Sequence, residues 1–138
     1  MIKVIDYIGC QNEQQFKMKW LKINELPKIV PFCIETEETV KGFPDVLCID
    51  KETKQAYLLE FKFTKSGKIK FQPTQPAFYK KHLYLPIKII AYNAKTRTVH
   101  YIEKEYLFWE NSAYKMNEKA EVDLCKAERL LEREYLNN

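Results

Sequence analysis

Val46 to Asp50 and Ala56 to Phe63 are two runs dense in β-branched, aromatic and aliphatic residues, separated by the polar stretch Lys51-Glu52-Thr53-Lys54-Gln55. This pattern predicts a β-hairpin whose turn is centred on Glu52 and Thr53. The resulting register sets Leu47 against Leu58 and Ile49 against Ala56 on one face, with Tyr57, Leu59, Phe61 and Phe63 on the other. Both faces are apolar along most of their length, as expected of a central strand covered above and below by helices. The exception is one end of the first face, where Asp45 falls directly opposite Glu60 and Lys62 follows two residues later.

The flanking pattern predicts the remaining elements. Ile2 to Ile8 reads as a short strand. Asn12 offers an N-cap for a helix through about Ile23, with Phe16, Trp20 and Ile23 on one stripe and Pro27 as its stop. Ile29 to Glu35 reads as a strand. Thr64 to Lys70 reads as a basic loop, after which Pro73 and Pro76 suit the first turn of a helix running to about Leu83, with Gln75 in that turn. Ile87 to Tyr92 is a strand, Asn93 to Thr96 a turn, and Arg97 to Ile102 its hairpin partner. From Asn117 to Tyr135, Leu124, Ala127 or Glu128, Leu131 and Tyr135 recur at helical spacing, predicting a packing or dimer helix. The expected architecture is an α/β fold with an αβββαβ core, a mixed central sheet flanked by helices, and a C-terminal helix.

Composition narrows the picture. The chain has 138 residues and 46% hydrophobic content, enough for one core and too little for two ordinary domains, so residues 1–138 are expected to form a single domain. It contains no run of about 18 apolar residues and no charged-then-apolar start, which predicts a soluble intracellular protein with no membrane association. Cys10, Cys33, Cys48 and Cys125 lack metal-ligand spacing and read as structural residues. Residues 117–135 carry a net charge of −2, so the +4 of the whole chain leaves +6 on residues 1–116. Positive charge is therefore concentrated with the polar end of the hairpin.

Carboxylates placed opposite one another repel unless a cation lies between them. A hard divalent ion meets this need, because Mg²⁺ is typically held by one or two carboxylates, with water and substrate phosphate completing its shell. The Pro44-Asp45 pair, the Glu60-x-Lys62 triplet and the helical Gln75 resemble the PD-(D/E)xK nuclease superfamily over roughly residues 12 to 103. The resemblance implies Asp45 and Glu60 as ligands of Mg²⁺ or Mn²⁺, Lys62 as the residue that positions or deprotonates the attacking water, and Gln75 as an accessory catalytic residue. In resolvase-like members a glutamate on the first helix can join the metal site, which makes Glu13 a candidate third ligand; the alternative is that Glu13 simply favours the positive helix N-terminus.

Lys65, Lys68, Lys70 and Lys80 add positive charge near the motif, either as a solvated surface or as a phosphate-binding one. His82 and His100 read as structural or exposed, and no Ser/His/Asp set, P-loop or dinucleotide fingerprint is present. The expectation is a metal-dependent DNA nuclease with DNA as its partner. The short chain, Glu13 and the Phe71-to-Gln75 segment resemble homodimeric Holliday-junction resolvases of the RecU type, the reading that size favours. Gly42-x-x-Asp45, Glu60-x-Lys62 and Gln75-x-x-x-Tyr79 also resemble RecB-type and viral exonucleases, in which Tyr79 would join the DNA-handling site. A third alternative is a non-catalytic nucleic-acid-binding module, with Glu60 and Lys62 as an ion pair.

Overall fold

The computed structural model describes residues 2–3, 7–24, 29–33, 44–111 and 120–125. In chain order the elements are β1 (Ile2–Lys3), α1 (Glu13–Asn24), β2 (Ile29–Cys33), β3 (Val46–Asp50), β4 (Ala56–Thr64), β5 (Lys68–Phe71), α2 (Thr74–Lys81), β6 (Ile87–Asn93), β7 (Thr98–Glu103), a 3₁₀ helix (Lys104–Asn111) and β8 (Ala120–Asp123). Six strands form one mixed sheet in the order β1-β7-β6-β4-β3-β2, while β5 and β8 form a separate two-stranded ribbon. Strands β2, β3 and β4 are antiparallel neighbours, and α2 carries the chain over to β6, which is parallel to β4.

The β3–β4 hairpin has the expected register, with Val46 opposite Leu59, Leu47 opposite Leu58 and Ile49 opposite Ala56. Asp50 builds the turn. Its Oδ1 accepts the backbone N–H groups of Glu52 at 2.8 Å and Thr53 at 3.2 Å, and Lys54 turns back through φ 59°.

Period-two alternation along β4 sorts its side chains between two cores. Phe61, Leu59 and Val46 pack beneath α1 with Phe16, Trp20, Leu21, Ile90 and Tyr92. Leu58 joins Ile87, Ile89, Phe78 and Tyr79 on the opposite face, beneath α2, the ribbon and the 3₁₀ helix. Phe61 is fully buried, with ring centroids of Phe16 and Trp20 at 6.0 and 5.5 Å in edge-on geometry. Phe61→Ala is therefore expected to cost about 3–5 kcal/mol in chemical denaturation. A loss below about 1 kcal/mol would show that the α1 layer does not depend on this ring.

Several boundaries differ from expectation. The first strand is confined to Ile2–Lys3 among the described residues, and Tyr7 to Gly9 form a turn, with Gly9 at φ 98° and Tyr7 packed edge-on against Phe16. Asn12 does cap α1, its Oδ1 accepting Gln15 N–H at 2.8 Å, but the buried stripe is Phe16, Trp20 and Leu21. Ile23 is exposed. Residues 34 and 35, the end of a predicted strand, lie outside the described residues. The α2 helix ends at Lys81, leaving Leu83 and Tyr84 exposed in the following turn.

The largest corrections concern β5 and β8. Lys68 to Phe71, predicted as loop, is a strand paired antiparallel with Ala120–Asp123, a stretch predicted as helix. Ile69 and Phe71 are buried and Lys68 and Lys70 exposed, a half-buried alternation whose lysines oppose Asp123 and Glu121 across the ladder. Helical backbone begins only at Leu124, where Asp123 Oδ1 accepts Cys125 N–H at 3.0 Å. The rest of the predicted C-terminal helix lies outside the described residues. No helix among the described residues is long and apolar enough to cross a membrane.

Candidate active site

Glu60 and Lys62 point from β4 into the face shared with Leu58, and α2 supplies Gln75 from above. The Gln75 amide joins them. Its Oε1 accepts Lys62 Nζ at 3.0 Å and the Gln72 backbone N–H at 3.0 Å, so its Nε2 is directed to Glu60 Oε1 at 2.7 Å. Lys62 Nζ also lies 3.7 Å from Glu60 Oε1 and 4.7 Å from the centroid of the Phe71 ring. The ammonium is thus held by an amide, a carboxylate and an aromatic face at once.

Phe71 was not anticipated as a site residue. The alternation Lys68-Ile69-Lys70-Phe71 was the available signal, and it becomes decisive only once Phe71 is known to be buried beneath the ribbon.

The acidic candidates come from three parts of the chain and are coupled by charge. Asp45, half-buried, sits at the bend that opens β3, where the ladder register runs out toward Glu60. Glu13 is the first residue of α1, a helix on the opposite face, yet its charge is felt by Glu60 as well as by Lys62 and Asp45. Glu60 is 3% exposed, and its pKa is pushed up to about 8, first by burial, then by Asp45, with Glu13 adding to the rise and Lys62 and Gln75 opposing it. Glu13 is exposed by surface area, so the upward move of its pKa is a partial desolvation of the carboxyl, opposed by Lys62 and reinforced by Asp45.

Two polar atoms in this cluster, Glu60 Oε2 and Tyr79 Oη, are buried without a hydrogen-bond partner. Burial, then the charge of Glu60, holds the Tyr79 hydroxyl well above its ordinary pKa, so it remains a neutral donor. A buried acceptor without a partner, surrounded by further carboxylates, is the electrostatic complement of a small cation. Among the described residues no group of three or more His, Cys, Asp or Glu side chains is placed to hold a metal ion. An open site of one or two carboxylates is what Mg²⁺ ordinarily uses, so the donor set fits a hard divalent ion.

Other candidates separate clearly. Lys65, Lys68, Lys70 and Lys80 are exposed, with Lys68 3.7 Å from Glu121. Tyr79, grouped with them as a DNA contact, is fully buried in the core, where its hydroxyl feels the charges of Glu60, Asp45 and Glu13. Gly42 and Phe43 of the G-x-x-D stretch lie outside the described residues. His82 Nδ1 pairs with Tyr84 Oη at 2.8 Å, and buried His100 pairs with Thr98 Oγ1 at 2.7 Å, its pKa lowered to about 4 by burial, so both are structural. Among the described residues, Cys10, Cys48 and Cys125 form no disulfide.

No family model matches the chain, and no curated protein matches it. Among solved structures it is similar to Hjc, a Holliday junction resolvase from the archaeal hyperthermophile Archaeoglobus fulgidus. The similarity has a TM-score of 0.57 and 8% sequence identity, and covers 84% of this chain and 92% of that one. The mixed sheet with its two helices is the fold of that resolvase.

Proposed function

We propose that this protein is a metal-dependent deoxyribonuclease of the PD-(D/E)xK type, hydrolysing phosphodiester bonds in branched DNA. One observation carries the reading: the buried, unpartnered Glu60 Oε2 lies among Asp45 and Glu13, with Lys62 fixed beside it by Gln75. The resolvase-like fold and the position of Glu13 on the first helix support a junction-selective endonuclease acting as a homodimer, since paired cuts across a junction require two sites.

Glu60 and Asp45 would hold Mg²⁺ or Mn²⁺, with Glu13 the candidate for a third ligand. When bound, such an ion polarises a phosphoryl oxygen and lowers the pKa of water. The chain supplies positioning and charge. Lys62, anchored through Gln75 and the Phe71 ring, presents its ammonium to the attacking water and to the charge that develops on the phosphate. To serve as a ligand, Glu60, whose pKa burial and Asp45 push up to about 8, would have to be held in the charged form that the fold alone disfavours.

A second reading is favoured by a separate observation. Tyr79 follows Gln75 by one helical turn and its unpartnered hydroxyl faces the same carboxylates, the arrangement of the Gln-x-x-x-Tyr series in RecB-type exonucleases. One assay covers both readings: wild-type protein with linear duplex, single-stranded and four-way-junction DNA in Mg²⁺, Mn²⁺ or EDTA. Symmetric nicking of junctions is expected, and processive shortening from ends would instead establish the exonuclease. Intact DNA of every type in both metals would remove the nuclease reading.

A further inference from the structure

A cavity of about 340 Å³ is lined by Gln11, Lys65, Tyr92, Ala94, Lys95, Arg97 and residues 8–10. Its lining contains three cationic side chains and no acid. Among the described residues none of these three forms an ion pair, although elsewhere Lys68, Lys88 and Lys104 each pair with a glutamate. Tyr92 is buried along its ring and lines the cavity wall.

Topology explains why the cations gather there. Strands β4 and β6 are parallel, so the segment after Thr64 and the turn after Asn93 emerge at the same end of the sheet, and Ala94 N–H donates to Thr64 O at 2.8 Å. The segment entering α1 meets them, its Tyr7 packed against Tyr92. Arg97 adopts φ 57°, a conformation that favours glycine or asparagine, shared among the described non-glycine residues only by Lys54. The turn thus carries an arginine where local backbone preference would select a smaller residue.

We propose that this cavity is a second phosphate-binding site, which grips a backbone phosphate of DNA flanking the one held at the carboxylates. The assignment rests on the nuclease reading for the identity of the polymer, but not for the chemistry of the cavity. Lys65 lies three residues after Lys62, and Gln11 two before Glu13. The backbone distance from Lys62 to Lys65 cannot exceed about 10 Å. That span corresponds to roughly two or three nucleotides at a rise of 3.4 Å per strand, so one strand can occupy both places. Lys95 and Arg97 would supply charge-assisted donors, with the Arg97 fork suited to two phosphate oxygens.

The test is fluorescence anisotropy with a labelled four-way junction in EDTA, where no cutting interferes. Lys95→Gln/Arg97→Asn is compared with Lys51→Gln/Lys54→Gln, which removes the same charge from the β3–β4 turn at the opposite end of the sheet. Asparagine suits the left-handed conformation, so the cavity variant should fold as well as wild type. The cavity variant is expected to bind about tenfold more weakly, with the salt dependence of log K reduced by about 1. Equal affinity of the two variants would overturn the proposal. So would inorganic phosphate shifting the amide resonances of Gly9 and Ala94 without any contrast in DNA affinity, which would make the cavity a free-phosphate site. Loss of cutting by wild type with the affinity contrast intact would remove the nuclease reading and leave the cavity assignment standing. Cutting without the contrast would do the reverse.

Discussion

Glu60→Gln is expected to lower DNA cleavage by about 10³-fold or more while leaving the protein folded. The substitution preserves shape and the capacity to accept the Gln75 hydrogen bond, but it removes the charge that would hold a divalent ion and stabilise it against Asp45 and Glu13. Lys62→Met should lose activity on a similar scale for a different reason, because the ammonium pinned between Gln75 and Phe71 has no substitute. The two are distinguished by metal binding: calorimetry should show weakened Mn²⁺ binding in Glu60→Gln and retained binding in Lys62→Met. Cleavage within a few-fold of wild type for either variant would mean that these residues are not the catalytic pair.

The second large effect runs in the opposite direction. Without a divalent ion, Glu60→Gln should be more stable than wild type at alkaline pH, by several kcal/mol. Glu60 has a folded-state pKa of about 8 against an ordinary 4.5, so between those values the folded state binds the extra proton. Its contribution to stability is complete below about pH 4.5 and is lost as pH rises through 8. His100, held near 4 in the fold, acts oppositely by losing stability as pH falls below its ordinary 6.5, so the quantity to read is the difference between wild type and variant. That difference should widen from pH 5 to 9 in EDTA and shrink when Mn²⁺ is added. Parallel stability curves across this range would show that Glu60 is solvated rather than buried.

Much of this site was legible because a hairpin is a local object. The turn at Glu52 and Thr53, the alternation of β4 and the resulting proximity of Asp45 to Glu60 follow from residues within about twenty positions of one another, and side-chain period two admits only one register with both apolar faces covered. Asn12 as a cap and Gln75 in the first turn of α2 are equally local. The ribbon was not legible. Lys68 to Phe71 lacks the length of a persuasive strand, and Ala120 to Asp123 sits in a stretch rich in helix formers. Each becomes a strand only because the other satisfies its backbone groups and charges, a tertiary choice that overrides propensity. The seat of Lys62 on Phe71 was hidden for the same reason.

The ribbon also sets a schedule. Val122 and Leu124 complete the core over the face that carries Glu60 and Lys62, and Leu124 N–H donates to Gly67 O at 2.9 Å, closing the chain back onto the segment between β4 and β5. A nascent chain released through β7 would already hold every proposed ligand and the lysine. It would lack the strand that pairs with Lys68–Phe71, and so the cover over the ring beneath the ammonium. As the chain emerges from the ribosome, the cover over this face therefore forms after the six-stranded sheet, only when residues 120–124 have been made.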